Sequence, residues 1–376
     1  MGTLIRIDGI ILLLSLSASI NSFAFDKDTL RRDGMNHPAN GQYEKLQNAL
    51  GRLYEIQRKG GWPKINATQK FYLKTQNAPA IKQIKERLRI TGEFNSKDTS
   101  SIFTEELVTA VQRVQKRFGY KQNGVVDALL IKQLNVPVED RIQQVLLNMQ
   151  RFKNNSAANT GTLLIVNIPE YKLHVYEGTN HVFDMDIIVG SEKNQTVTFN
   201  DEMTDIIFSP YWNVPPSIVT NEILPAMKRN KNYLRNNGYE ITGYENGLPV
   251  IRQKPGKQNS LGQVKFIFPN EYGIYLHDTP AKGLFEYPKR TFSHGCIRLA
   301  EPEKLALYLL RNIPGWTNDK IKKAMNSGRE QWVKLLHPVS VSLSYYTAWV
   351  DEENLLQLRR DIYGLDKKLI NNVASR

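Results

Sequence analysis

The hydrophobic residues of this 376-residue chain change their spacing once, at a polar stretch over residues 153–160. Before that stretch, apolar residues recur every three or four positions, which is the period of an amphipathic helix. After it, apolar and polar residues alternate in short runs, as they do in half-buried strands. The chain is therefore predicted to have an α+β fold. An all-α N-terminal region precedes a mainly antiparallel β domain over residues 160–362.

The helical part contains a small module over residues 81–136. Its second helix carries apolar residues from Phe103 to Phe118, with Thr104 as the predicted N-cap and Gly119 as the C-terminal stop. A helix near residues 43–57 precedes the module, and an amphipathic helix over residues 142–152 follows it. These spacings also fit generic three-helix packing, so they leave the function of the module open.

The strand-rich part is predicted to contain strands, two helices and one long insertion. Strands are expected near residues 163–168, 182–189, 206–208 and 264–268, and helices over 302–313 and 318–335. A late alternating run over residues 339–345 is expected to pair with residues 355–358. Residues 213–262 hold five prolines and many polar residues, so they predict either a lid or a disordered insertion.

The first 24 residues have the pattern of an export signal. Arg6 precedes an apolar core over residues 9–16, and small residues allow cleavage after Ala24. An uncleaved anchor is the alternative. No other stretch approaches 18 apolar residues, so the mature chain is not expected to insert stably into a membrane.

The net charge of +13, from 50 Lys and Arg against 37 Asp and Glu, favours a polyanionic partner. The sequence has no zinc finger, no RNA-binding signature and no lysine-rich tail, which argues against nucleic acid. An anionic cell envelope fits both the charge and the export signal, so a periplasmic location is predicted.

The single cysteine, Cys296, lies in the segment with the clearest chemical pattern. A thiol becomes a nucleophile when a nearby imidazole takes its proton, and His277 ends a short apolar strand where it can be held rigidly. Asp278 offers a carboxylate or a backbone carbonyl to orient that imidazole. Gly295 permits a turn that aims the N–H groups of residues 295 and 296 at an oxyanion, and Arg298 can bind a carboxylate.

The same residues allow two other interpretations. His277, His294 and Cys296 are possible zinc ligands, but no CxxC or HExxH spacing is present, and ligands at 294 and 296 would crowd one turn. The residues also fit two hydrogen-bonded histidines beside a buried cysteine. No metal and no cofactor are predicted.

A histidine, 15 intervening residues and then SHGC (293–296) resemble the active-site signature of the L,D-transpeptidases of bacterial cell walls. The resemblance extends over roughly residues 40–365 and is to the large, multi-domain, Gram-negative-type members. It includes SPYWNVPP (209–216), RQKPG (252–256), NSLG (259–262), KF (265–266), YTAW (346–349) and DIYG (361–364). Residues 81–136 loosely resemble the peptidoglycan-binding module of that family.

The resemblance implies a role for each matched position. Cys296 is the expected nucleophile and His277 the general base and acid, with the backbone carbonyl of Asp278 as the orienting group. His294 and Gly295 fall on the remaining signature positions, and residues 213–262 on an insertion that caps the substrate cleft. The expected substrate-binding residues are Arg298, Ser293, Tyr275 and Trp212.

The function implied is cross-linking of the third residues of two peptidoglycan tetrapeptide stems through a Cys296 thioester, with release of D-alanine. Acylation by carbapenems is also implied. Other cell-wall synthases are candidate partners on which the sequence itself is silent. L,D-carboxypeptidase activity, D-amino-acid exchange and lipoprotein ligation remain open at the same site, as does a silent peptidoglycan-binding scaffold. The expected segments are a signal peptide (1–24), a scaffold region (25–80), the helical module (81–136), a scaffold helix and linker (137–159), the catalytic domain (160–362) and a tail (363–376).

Overall fold

The computed structural model describes residues 40–154 and 161–374. The predicted signal peptide and most of the polar stretch over 153–160 lie outside these residues. Among the helices of the described residues, none combines the length and the apolar character needed to cross a membrane.

The N-terminal region is helical, as its residue spacing predicts. Helix α3 (Glu105–Phe118) ends at residue 118 because Gly119 adopts the left-handed conformation (φ 69°), which glycine tolerates best. Thr104 occupies the N-cap position of α3 in an extended conformation, without a capping hydrogen bond from its side chain. The elements are α1 (Asn40–Arg58), β1 (Phe71–Tyr72), α2 (Pro79–Ile90), α3 (Glu105–Phe118), β2 (Val126–Asp127), α4 (Ala128–Leu134) and α5 (Val138–Asn154).

The second region is built on a nine-stranded sheet of mostly antiparallel strands. Its strands are β3 (Thr162–Asn167), β4 (Lys172–Glu177), β5 (Asn180–Gly190), β6 (Phe199–Phe208), β10 (Val264–Ile267), β11 (Leu276–His277), β12 (Thr291–Ser293), β13 (Ile297–Leu299) and β14 (Gln331–Ser344). Their order in the sheet is β12-β5-β13-β11-β10-β6-β14-β3-β4, and β4 also pairs with β5, which closes the sheet on itself. Helices α9 (Pro302–Leu310) and α10 (Asn318–Met325) pack against the core of this sheet.

Two predictions about the C-terminal half are wrong. The helix expected over residues 318–335 ends at Met325, because a turn with Gly328 at φ 66° follows and β14 begins at Gln331. Residues 355–358 do not pair with residues 339–345. Instead β16 (Leu356–Leu358) pairs with β15 (Ala348–Val350), since a tight turn at Asp351–Asn354 joins these neighbouring segments.

The short β15–β16 hairpin packs away from the large sheet. Ala348, Val350, Leu356 and Leu358 are buried in the same core as the N-terminal helices, whereas the large sheet has a separate core. The chain thus returns from the sheet to cover the helical region. A last helix, α11 (Leu365–Ala374), follows.

The insertion over residues 213–262 is folded rather than irregular. It contains short helices and a three-stranded sheet with its own small core, which includes Val219, Ile223 and Ile251. Its elements are β7 (Trp212–Asn213), α6 (Pro216–Ile218), a π-helical turn (Val219–Ile223), α7 (Leu224–Arg229), α8 (Tyr233–Asn236), β8 (Tyr239–Glu245) and β9 (Leu248–Gln253). The predicted fold class, an α+β protein with an all-α N-terminal region, is confirmed.

Candidate active site

Three neighbouring strands bring the candidate residues together. Lys265 of β10 lies opposite His277 of β11, and His277 lies opposite Arg298 of β13. Side chains at matched positions point to the same face of a sheet, and so do residues two apart on one strand. Lys265, His277 and Arg298 therefore share a face with Tyr275, and Cys296 lies just before β13 beside Tyr275.

A tight turn presents Cys296 at the start of β13. Gly295 adopts φ 118°, which is strained for residues other than glycine. The Ser293 hydroxyl accepts from the Gly295 N–H at 3.1 Å and donates to the Cys296 carbonyl at 2.5 Å. Thr196 donates its hydroxyl to the Gly295 carbonyl at 2.7 Å. The turn is thus held from both sides.

These contacts correct two expectations. The Gly295 N–H is already bonded within the turn, so it does not point at an oxyanion together with the N–H of Cys296. The Cys296 N–H has no acceptor among the described residues and remains the available donor. Ser293 is buried and uses its hydroxyl inside the turn, so it shapes the site rather than facing a substrate.

The imidazole of His277 is oriented by the backbone. Its Nδ1 lies 2.5 Å from the carbonyl oxygen of Asp278, which leaves Nε2 as the basic nitrogen. The Asp278 carboxylate faces elsewhere: it accepts from the Gln263 N–H at 2.9 Å and from Lys282 Nζ at 2.7 Å. The carbonyl, and not the carboxylate, is therefore the group in contact with the imidazole.

His277 is held in its neutral form. The pKa of this imidazole is lowered to about 3, mainly by burial and then by the positive charges of Arg298 and Lys265, while the backbone hydrogen bonds of Asp278 and Leu261 oppose the change only in part. A neutral imidazole can accept a proton, which a general base requires.

The thiol of Cys296 is only partly buried, and it lies among hydrogen-bond donors and cations. Burial raises its pKa, while hydrogen bonds from Tyr275 and the charges of Lys265 and Arg298 oppose that rise. Its Sγ lies 3.8 Å from the carbonyl oxygen of Gly273.

Lys265, which belongs to the KF pair (265–266) of the family resemblance, is a site residue to which no role was assigned from the sequence. Its Nζ lies 3.8 Å from the centre of the Tyr275 ring, and neither Lys265 nor Arg298 forms a salt bridge within the described residues. Arg298 also has a buried Nε without a hydrogen-bond partner. Two cations without a matching carboxylate create a positive field at the thiol, which suits an anionic substrate group. No local pattern reveals Lys265, because only the strand register places it beside His277.

His294 and Trp212 link the site to the insertion. His294 Nε2 lies 2.8 Å from Glu222 Oε1 in the π-helical turn, and both side chains are about half exposed. His294 thus contacts the insertion rather than the thiol. Trp212 lies on β7 and hydrogen-bonds the Tyr275 side chain, so one edge of the insertion lies over the site.

Comparisons with known proteins agree with this geometry. Residues 161–321 match the family described as the L,D-transpeptidase catalytic domain, and residues 77–134 match a family described as "Putative peptidoglycan binding domain". A "Putative L,D-transpeptidase" of Haemophilus influenzae is 31% identical over 243 residues, which cover 60% of this chain and 49% of the relative. The chain thus spans about half the length of this curated relative.

Similar solved structures include two further L,D-transpeptidases. One is from Stackebrandtia nassauensis, with 14% identity, a TM-score of 0.30, and coverage of 74% of this chain and 97% of that chain. The other is from Mycobacterium smegmatis, with 15% identity, a TM-score of 0.25, and coverage of 49% and 60%.

The class that these matches indicate is that of the L,D-transpeptidases: the segment similar to their catalytic domain, residues 161–321, contains both Cys296 and His277. The preceding helical module is similar to peptidoglycan-binding domains over residues 77–134. The family resemblance drawn from the sequence is therefore confirmed.

Proposed function

We propose that this protein is a periplasmic, cysteine-dependent L,D-transpeptidase that cross-links the third residues of two peptidoglycan stems. The observation that carries the proposal is the placement of Cys296 beside the strand that holds a neutral, backbone-oriented His277. A nucleophile next to an oriented base is the arrangement that acyl transfer requires. The catalytic-domain match supports the same reaction class.

In the first step, His277 takes the proton of Cys296, and the thiolate attacks the carbonyl carbon of the third stem residue. The Cys296 N–H stabilises the oxyanion, since the Gly295 N–H is bonded within the turn. The bond from this carbon to the D-alanine nitrogen then breaks. The protonated His277 gives its proton to the leaving amine, and the stem remains on Cys296 as a thioester.

In the second step, the side-chain amine of another stem attacks the thioester. His277 takes a proton from this amine, the C–S bond breaks, and the thiolate recovers a proton. The product is a third-to-third-residue cross-link. The thioester conserves the energy of the cleaved peptide bond, so the proposed reaction needs no nucleotide and no metal.

Lys265 and Arg298 have two roles in this proposal. Their charges stabilise the thiolate that proton transfer produces, and they keep His277 neutral before the transfer. Arg298 also offers a buried, unpartnered nitrogen to a substrate carboxylate. The net charge of +13 and the N-terminal export pattern support a location next to the anionic wall.

The test is a muropeptide profile after incubation of purified protein with tetrapeptide substrate. Wild type should yield cross-linked dimers, and Cys296→Ala should yield none while keeping its melting temperature, because trimming a small side chain changes the packing little. Full activity in Cys296→Ala would refute the cysteine mechanism. Tripeptides without dimers would instead establish an L,D-carboxypeptidase, and exchanged fourth residues or a linked lipoprotein would establish those activities.

A second assay addresses the silent scaffold. Incubation with a carbapenem should increase the protein mass by one drug molecule in wild type and leave Cys296→Ala unchanged. A wild-type chain that gains no mass would have an inert thiol.

A further inference from the structure

A large cleft of about 1190 Å³ lies between the helical module and the catalytic sheet. The end of α3 with Tyr120 and Lys121 forms one side. Residues 287–292 of the catalytic region form the other, and residues 359–364 line it as well. The cleft is therefore formed by both regions and exists in neither alone.

The two sides of the cleft are fixed relative to each other. Arg359 donates to the Arg117 carbonyl at 2.7 Å, and Arg117 donates through Nε to the Leu356 carbonyl at 2.9 Å. Both bonds join the end of α3 to the segment that follows β14. A site held this way is preformed, so a ligand does not have to bring the two regions together.

The lining of the cleft is aromatic and polar without a dominant charge. Tyr287 and Phe292 meet edge to face with ring centres 5.7 Å apart, and they are 55% and 40% exposed. The Tyr120 hydroxyl is buried and has no hydrogen-bond partner among the described residues. Lys289 is neutralised by Glu192 at 2.7 Å. Exposed aromatic faces in a cleft that is also lined by polar side chains suit a ligand with apolar C–H faces and many hydroxyl groups.

The cleft is joined directly to the turn that presents the nucleophile. Tyr363 lines the cleft and donates to the Gly190 carbonyl at 2.6 Å, and Thr196 bonds both the Gly190 N–H and the Gly295 carbonyl. Phe292 precedes Cys296 by four residues, so their Cα atoms are at most about 14 Å apart. An extended tetrapeptide spans about the same distance.

We propose that this cleft binds the glycan strand of peptidoglycan and that Tyr287 and Phe292 are its stacking platform. The inference rests on the proposed function, since it takes peptidoglycan as the substrate. An uncharged sugar polymer matches a cleft whose lining contains as many acidic as basic side chains, whereas a nucleic acid would need a lining that is mainly positive. A strand seated there places its peptide stems within reach of Cys296. The site thus selects stems carried on polymer over free muropeptides.

Binding is tested first, in variants that lack the nucleophile. Two proteins are each sedimented with purified sacculi: the Cys296→Ala variant, and a variant that carries Tyr287→Ala and Phe292→Ala in addition to Cys296→Ala. The added pair should lower the bound fraction at least fivefold, whereas Tyr54→Ala, an exposed aromatic of α1 outside the cleft, should not change it. Equal binding with and without the pair would overturn the inference.

Turnover then separates the inference from the proposed function. With the thiol intact, the Tyr287→Ala, Phe292→Ala variant should raise the KM for polymeric substrate at least fivefold more than the KM for a soluble disaccharide-tetrapeptide. An equal change in both would overturn the inference. Absence of turnover by wild type on both substrates would overturn the proposed function instead, and the sedimentation result would still decide whether the cleft binds glycan.

Discussion

Two histidines of the same sheet, the buried His277 and the partly buried His174, have opposite electrostatic surroundings. His277 on β11 donates to a neutral carbonyl and lies between Lys265 and Arg298. His174 on β4 lies between two carboxylates, with Nδ1 2.7 Å from Asp184 and Nε2 2.9 Å from Glu170. Burial lowers the pKa of both. For His174 the charge of Glu170 and the hydrogen bonds of both carboxylates outweigh burial and raise the pKa to about 10, whereas the pKa of His277 falls to about 3.

The difference shows that neighbouring charges, and not burial alone, decide what a histidine does. A cation at position 174 stabilises a network of carboxylates, and Asp184 also bonds His181 at 2.6 Å. A neutral ring at position 277 is available to take a proton from a thiol. The strand register supplies part of both surroundings, since His174 lies opposite Asp184 and His277 lies opposite Arg298 on a neighbouring strand.

The largest expected effect is on catalysis. His277→Gln should lower the cross-linking rate by about 10²–10⁴, because it removes the general base and acid. His174→Gln should keep the rate within about twofold, since His174 belongs to a separate carboxylate network. Initial rates on tetrapeptide substrate measure both. Equal losses in the two variants would mean that His277 acts only through the fold.

The next effect is on the pH dependence of stability. Between pH 6.5 and about 3 the unfolded chain binds a proton at position 277 that the folded chain does not, so the free energy of unfolding should fall as the pH drops. Between pH 6.5 and about 10 the folded chain keeps a proton at position 174 that the unfolded chain loses, so it should fall as the pH rises. Each change is on the order of a few kcal/mol.

Denaturant titrations across this pH range measure the two slopes. His277→Gln should reduce the pH dependence of the free energy of unfolding below pH 6.5 only. His174→Gln should reduce it above pH 6.5 only. His337→Gln, an exposed histidine of β14, is the control and should change neither side. Flattening on the opposite side in either variant would reverse the assignment of charges.

A smaller effect is expected from Lys265→Met. Loss of this charge should raise the pKa of Cys296, because Lys265 favours the thiolate. Alkylation by iodoacetamide should then shift to higher pH and become slower at neutral pH, because a smaller fraction of the thiol is ionised. Lys265→Arg should restore the pH profile of alkylation. Lys334→Met, at an exposed position of β14, is the control. An unchanged profile would contradict the role of Lys265.

Periodicity predicted the elements whose apolar residues lie close together in sequence. Helix α3 ends at Phe118 because Gly119 takes the left-handed conformation, and both features are visible in the sequence. The error at residues 318–335 came from extending a helical pattern through Ser327-Gly328, although Val333 and Leu335 alternate on a strand. The turn residues therefore determine where the helix ends, and the apolar residues beyond them belong to a strand.

Contacts across strands could not be predicted in the same way. Cys296 and His277 were found because their residue types are rare and their spacing matches a family signature. Lys265 and Glu222 lie far from that signature in sequence, and only the fold brings them to His277 and His294. A lysine on an alternating strand looks the same in sequence whether it faces solvent or an active site.

The smallest effect is expected from Asp278→Asn. The backbone carbonyl that orients His277 remains in this variant, while the carboxylate loses its charge toward Lys282 and the Gln263 N–H. The cross-linking rate should therefore fall less than tenfold, and Lys282→Met, which removes the same ion pair from the other side, should give a similar small loss. Initial rates and melting temperatures of both variants measure this. A folded Asp278→Asn protein with no activity, next to an active Lys282→Met protein, would transfer the orienting role from the carbonyl to the carboxylate.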